Sequence, residues 1–176
     1  MGYTHYWTFK KPAKGQAQKV EIAYQKAVKK CQKLIYDYNK AVEYDDCRLS
    51  GYTAHVKPGQ YGGVKVNGKG SESHEDFVLR EHYSQNLESS YWGFCKTARK
   101  SYDEVVVACL TILKHYLKDN IEVSSDGDVS DWLQGVYVAN KYTKLTGLKV
   151  PKGVDNAENY SANLKCDACG AIRTSY

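Results

Sequence analysis

The sequence lacks the features of a membrane or exported protein. No stretch approaches the run of about 18 apolar residues that a membrane-spanning helix needs. The first residues mix Tyr, Thr, His and Lys instead of joining a basic start to an apolar stretch, which argues against a secretory signal. With 176 residues, 42% hydrophobic and 26% charged, the composition is that of a globular protein. We therefore expect a cytoplasmic protein with one main domain and no membrane partner.

Phenylalanine is scarce, whereas tyrosine is abundant. The chain has 3 phenylalanines against 16 tyrosines and 3 tryptophans. Most of its aromatic surface therefore carries a polar group. This composition is typical of cores with hydrated edges and of binding surfaces.

Positive charge is concentrated at the front of the chain. The first forty residues hold nine lysines against Glu21 and Asp37, a net charge of +7. Because the whole chain carries +5, the remainder carries −2. This excess indicates either a partner that bears phosphate groups or a lysine-rich helix face in contact with water.

The residue patterns predict an α+β fold, with a mostly antiparallel sheet packed against about three helices. The domain spans residues 1–148, and residues 149–176 form a C-terminal arm. A Ser101–Glu104 capping box is expected to start the second of the three helices. The predicted elements are strands at residues 2–10, 76–80 and 121–124, helices at residues 16–39, 105–117 and 129–145, and a hairpin at residues 64–69 that turns at Asn67-Gly68.

A basic segment, residues 94–100, precedes the second of these helices. A helix start favours negative charge, so the preferred phosphate ligands are Lys96, Thr97 and Arg99, with Arg80 as a further candidate. No glycine-rich loop followed by Lys-Ser/Thr supports this assignment. In the alternative interpretation, these cations pair with nearby acids such as Asp103.

Aromatic residues could stack on a nucleobase, and two histidines are candidates for acid–base catalysis. The stacking candidates are Tyr3, Tyr6, Trp7 and Trp92. His5 shares a predicted strand face with Tyr3 and Trp7, and either it or His74 could transfer protons. The alternative for His5 is a core histidine whose ring nitrogens are hydrogen-bonded.

Two acidic groups are candidates for magnesium binding. His74 and Glu75 adjoin a predicted strand, and Asp126 and Asp128 follow another. Carboxylates at such positions could hold Mg²⁺ for phosphoryl chemistry. Equally, Ser-Asp-Gly-Asp is good turn chemistry, and Asp128 could cap the next helix.

The cysteines fall into two groups. Cys166 and Cys169 have the spacing of half a zinc site, with a redox pair as the alternative. No second CxxC or HxxxH supplies the other half, which would have to come from another residue or another subunit. Most of the remaining cysteines lie in apolar patterns and are expected to be reduced core thiols.

Four segments together resemble a family of small phage and prophage proteins. They are residues 2–7 (GYTHYW), 74–79 (HEDFVL), 94–103 (FCKTARKSYD) and 123–132 (VSSDGDVSDW). Usual members of the family have proline where this chain has Ser101, and the resemblance does not extend to the residues from Lys149 onward. The family carries no assigned activity, so the resemblance implies a phage setting, and hence the host bacterial cytoplasm, rather than a reaction.

Three functions compete on these observations. The first is a phage counter-defence protein that binds a nucleotide second messenger of host immunity, either without cleaving it or as an enzyme that cleaves it. The second is a protein- or nucleic-acid-binding module with a basic first helix and a zinc-stapled tail. The third is a metal-dependent nuclease or phosphodiesterase that uses His74, Glu75, Asp126 and Asp128. A host defence protein and a second copy of the chain, as a homo-oligomer, are further candidate partners.

Overall fold

A computed structural model describes residues 2–89 and 92–154. Cys166 and Cys169, and with them the predicted zinc site, lie outside the described residues. The helices and strands, in chain order, are β1 (Thr4–Phe9), α1 (Ala17–Ala41), β2 (Leu49–Ser50), α2 (Tyr52–His55), β3 (Val64–Gly68), β4 (Phe77–Leu79), α3 (Tyr83–Ser89), β5 (Trp92–Lys96), α4 (Asp103–Leu117), β6 (Ile121–Ser125) and α5 (Val129–Thr143).

The prediction of an α+β fold with antiparallel sheets is confirmed. β1 is the central strand of a three-stranded antiparallel sheet in the order β5-β1-β6. His5, Trp7 and Phe9 alternate along β1 toward the buried side, whereas Tyr6 and Thr8 lie on the other face and are half-exposed. The sheet therefore has an inner face packed on the core and an outer face that reaches solvent.

A second antiparallel sheet contains β2, β3 and β4, and it corrects the predicted hairpin. β3 and β4 do pair antiparallel, with Val64 opposite Leu79. Asn67 and Gly68, however, remain within β3 and pair with β2. The Asn67 amide donates to Asp76 at 2.9 Å and to the His74 carbonyl at 3.1 Å, and its oxygen accepts the His74 N–H at 3.0 Å. These bonds hold Asn67 against the residues just before β4, so the chain turns after Gly68.

Helix α4 lies at the centre of the helical layer, between α1 and α5. Its residues from Val105 to Leu113 are all buried, because it packs against both neighbouring helices and the sheet. The predicted Ser101–Glu104 capping box is wrong: the helix begins after Tyr102 without a side-chain cap. The Ser101 N–H donates to Glu72 at 2.9 Å, and Glu104 accepts the Tyr38 hydroxyl at 2.6 Å. Both residues are thus engaged by other elements.

Asp128 caps the start of helix α5, as the alternative interpretation of the Ser-Asp-Gly-Asp segment predicts. Asp128 accepts the N–H groups of Ser130 and Asp131, and Asp131 accepts the Asp128 N–H in return. The first residues of the predicted C-terminal arm then pack against β6. Val154 is buried, and a Cβ on Gly153 would lie 2.2 Å from the Val123 carbonyl oxygen. No helix among the described residues is long and apolar enough to cross a membrane.

Three core cysteines are expected to resist alkylation in the folded protein. Cys31, Cys95 and Cys109 are fully buried and outside any disulfide, and burial raises the pKa of the Cys95 thiol to about 12. Because the thiolate is the reactive form, iodoacetamide should label them at least about 100-fold more slowly in the native than in the unfolded state. Peptide mass spectrometry measures this. Cys47 is half-buried and serves as the internal comparison; equal labelling rates would contradict the packing described.

Candidate functional site

Three of the four segments that carry the family resemblance meet at one end of the first sheet. His5 on β1 is fully buried. Its Nε2 lies 2.8 Å from Asp103 Oδ1, and its Nδ1 lies 3.0 Å from Ser125 Oγ. The Thr97 hydroxyl also donates to Asp103. We call these four residues the His5 cluster; it joins the ends of β1, β5 and β6 to the start of α4.

Aromatic rings and an ion pair cover the His5 cluster. The rings of Tyr3 and Trp132 pack edge-on against the His5 imidazole, with centroids 5.1 and 5.4 Å away. The Arg99 guanidinium lies 4.0 Å over the Tyr3 ring. It also donates two hydrogen bonds to Asp131, at 2.6 and 3.3 Å. Burial, followed by the nearby carboxylates of Asp103 and Asp131, raises the pKa of Tyr3.

The His5 cluster contains the hydrogen-bonded order of serine, histidine and aspartate that nucleophilic catalysis uses. Two features argue for a structural role. His5 has no exposed surface, and Ser125 Oγ is engaged by the Gly127 N–H at 3.0 Å. A Cβ at Gly127 would lie 2.2 Å from the Tyr3 hydroxyl, so the backbone of this turn packs closely against Tyr3, one of the rings that cover the His5 cluster. The cluster therefore fits the core-histidine interpretation better than the acid–base one.

The predicted phosphate ligands do not converge on a single point. Thr97 is fully buried and directed to Asp103. Arg99 is exposed but paired with Asp131. Lys96 shares the outer face of β5 with Trp92 and Phe94, because alternate residues of a strand share a face. Arg80 is exposed at the end of β4 and makes no ion pair within the described residues.

Three aromatic side chains lie together on the outer face of the first sheet. Trp92 is 50% exposed and Phe94 is 47% exposed. The Tyr6 ring stacks on Trp92, with centroids 6.1 Å apart and an angle of 19° between the rings, and Phe94 lies 5.0 Å from Trp92. We call Tyr6, Trp92 and Phe94 the outer aromatic cluster. Trp7 and Tyr3, in contrast, are almost completely buried on the inner side, with 5% and 4% of their surface exposed.

A cleft of about 840 Å³ adjoins the outer aromatic cluster. Tyr6 and Trp92 form its aromatic side. Its charged lining comprises three lysines and two carboxylates: Lys114, Lys118, Lys152, Asp119 and Glu122. Lys118 and Lys152 are exposed, Lys114 donates to the carbonyls of Lys118 and Ile121 at 2.8 and 2.9 Å, and Glu122 is paired with Lys10. The cleft therefore combines a flat aromatic surface with an excess of cations.

The candidate magnesium ligands are held apart by other partners. Asp126 accepts the Thr4 N–H at 3.0 Å, and Asp128 caps α5. Glu75 accepts the Lys96 N–H at 2.7 Å, while His74 is exposed beside β4. Among the described residues, no group of three or more His, Cys, Asp or Glu side chains is arranged to hold a metal ion.

Sequence reasoning found Tyr6, Trp92 and Lys96 but missed the rest of the outer face. Phe94 could have been found, because it alternates with Trp92 and Lys96 along β5. Lys118 and Lys152 gave no such signal. They come from the end of α4 and from the segment after α5, and only the tertiary fold places them beside β1.

Comparison with known proteins assigns neither a family nor a function to this chain. No family model matches the chain, and no curated protein or solved structure is significantly similar to it. The resemblance to the phage family stays a prediction, and functional inference depends on the geometry of the chain itself.

Proposed function

We propose that this protein binds a nucleotide on the outer face of its first sheet. The observation that carries the proposal is the exposed outer aromatic cluster beside a cleft rich in lysines. A nucleobase stacks on Trp92, and the phosphate lies near Lys118 and Lys152. Every nucleobase has a flat aromatic face, and stacking on aromatic side chains contributes about 1–3 kcal/mol per base.

Size and charge both support a small phosphorylated ligand. The volume of the cleft lies within the roughly 300–1,000 Å³ that small-molecule sites occupy. Pairing with Lys10 offsets the charge of Glu122, which leaves Asp119 as the other carboxylate against three lysines. Large aromatic side chains that remain half-exposed are a common mark of a binding surface.

The biological setting rests on the family resemblance alone. A phage protein that binds a nucleotide could withhold a second messenger from host immunity, and this is the role we propose. Binding without cleavage is favoured, since the His5 cluster lies on the inner side of the sheet and none of the described residues that line the cleft is a histidine.

A second candidate function uses α1. Its outward side carries exposed lysines at intervals of seven residues, namely Lys19, Lys26, Lys33 and Lys40. This stripe favours the binding of a nucleic-acid backbone. Lys33 is paired with Asp37, and Lys40 lies 5.1 Å over the Tyr36 ring, so part of the stripe is already engaged.

Charge reversal separates the two surfaces. The double variant Lys118→Glu/Lys152→Glu should lower the affinity for ATP at least about tenfold, because two attractive charges become repulsive. Lys26→Glu/Lys33→Glu, with the same change in net charge, should leave it within about twofold. Isothermal titration calorimetry with AMP and ATP measures both. Failure of the unaltered protein to bind either nucleotide, or loss of binding only in the α1 variant, would contradict the proposal.

A further inference from the structure

Trp92 stands between two clefts. The 840 Å³ cleft described above lies on one side. On the other, a cleft of about 510 Å³ is lined by Phe94, Arg80, Asp76 and Asn86, among others. Trp92 contributes to the walls of both. We call them the large cleft and the small cleft.

Each cleft has an aromatic ring of its own in addition to Trp92. Tyr6 belongs to the large cleft and Phe94 to the small one. The ring centroids of Tyr6 and Phe94 lie 6.1 and 5.0 Å from that of Trp92. Trp7 also lines both clefts but is nearly buried, so Trp92 is the exposed ring that the two clefts share.

Each cleft also has a cation of its own. Lys118 and Lys152 line the large cleft, and Arg80 lines the small one. Among the described residues that line the small cleft, Asp76 is the one carboxylate, and it is bonded to Lys65 at 3.0 Å and to the Asn67 amide at 2.9 Å. Arg80 also lines a neighbouring cavity with Glu81 and Glu88, but it makes no ion pair within the described residues, so the guanidinium can pair with a phosphate oxygen.

We propose that the ligand is a dinucleotide, with one base in each cleft and the linking phosphate beside Trp92. This inference rests on the proposed nucleotide-binding function and specifies its ligand class. The exposed ring and the cation that each cleft adds to Trp92 match two nucleotide units joined covalently. A mononucleotide occupies the large cleft alone and leaves Phe94 and Arg80 without a function in binding.

Titration calorimetry with AMP, adenylyl-adenosine (ApA) and cyclic di-AMP tests this assignment. One of the two dinucleotides should bind at least about tenfold more tightly than AMP, because its second base binds as part of an already anchored molecule. Arg80→Ala should weaken that dinucleotide by about five- to tenfold and AMP by less than about twofold, and Phe94→Ala should weaken the dinucleotide more than it weakens AMP. Arg48→Ala is the matched control, since Arg48 is an exposed arginine that pairs with Asp45 away from both clefts.

The outcomes distinguish this inference from the proposed function. If AMP binds as tightly as both dinucleotides, or if the small-cleft variants change nothing, the dinucleotide assignment is overturned while nucleotide binding stands. If none of the three ligands binds but ATP does, the dinucleotide assignment alone fails; if ATP does not bind either, both fail. An adenylate strand of eight nucleotides that binds far more tightly than either dinucleotide would overturn the assignment in favour of single-stranded nucleic acid.

Discussion

Replacing Asp103 by alanine is expected to lower the free energy of unfolding by about 3 kcal/mol. Asp103 accepts hydrogen bonds from His5 Nε2 and the Thr97 hydroxyl, and both partners are fully buried. Neither partner has exposed surface in the native protein, so the variant carries the cost of two buried polar groups that have lost their acceptor. Chemical denaturation followed by circular dichroism measures the loss.

Two further variants make the Asp103 prediction specific. Asp103→Asn keeps an oxygen acceptor and should lose less stability than the alanine variant. Asp37→Ala also removes a carboxylate, but from an ion pair with Lys33 on the outside of α1, and should cost less than about 1 kcal/mol. Equal losses for Asp103→Ala and Asp37→Ala would show that the His5 cluster does not hold the ends of these strands together.

Replacing Trp92 by alanine is expected to weaken nucleotide binding about 10- to 100-fold, which matches the 1–3 kcal/mol of base stacking. Because Trp92 is half-exposed, the variant should remain folded. Trp92→Phe retains an aromatic face and should recover much of the affinity. Calorimetric titration with AMP and ApA gives the comparison.

The control for Trp92 is an exposed aromatic residue elsewhere on the surface. Tyr44 is 72% exposed and lies outside both clefts, so Tyr44→Ala should bind as the unaltered protein does. If Trp92→Ala also binds within about twofold of the unaltered protein, the outer aromatic cluster is not the site.

Strands β1 and β6 and the long helices could be predicted because their patterns are local, whereas β5, the third strand of the first sheet, was not predicted. Alternation in residues 3–9 indicated β1, and apolar residues at three- and four-residue spacing indicated α1. The pattern failed where distant contacts decide the outcome. Asn67-Gly68 resembles a hairpin turn, yet hydrogen bonds to Asp76 and His74 keep it in a strand.

Helix α3 could not be predicted from the sequence, because its residues are mostly polar and show no helical pattern of apolar positions. A single residue, Tyr83, holds it in place. The Tyr83 hydroxyl donates to the carbonyls of Lys10 and Asn120, at 2.6 and 2.7 Å, which lie far from it in sequence. Such an anchor cannot be recognised before the fold is known.

The candidate site was predictable only in part, for the same reason. Its aromatic members lie on two strands with visible alternation. Its lysines are separated from them by up to 146 positions in the chain, as Tyr6 and Lys152 show. For His5, sequence alone left a catalytic and a core role open, and its complete burial together with the Gly127 N–H bonded to Ser125 Oγ favours the core role.

The indole N–H signals of the three tryptophans test nucleotide binding at the outer face most directly. Trp132 is fully buried, Trp7 nearly so, and Trp92 is half-exposed. In a titration of ¹⁵N-labelled protein with ApA, the Trp92 signal, identified from its absence in Trp92→Phe, should shift most, while that of Trp132 stays in place. No shift at saturating ApA, or a shift of Trp132 with Trp92 unchanged, would contradict a nucleotide site on this face.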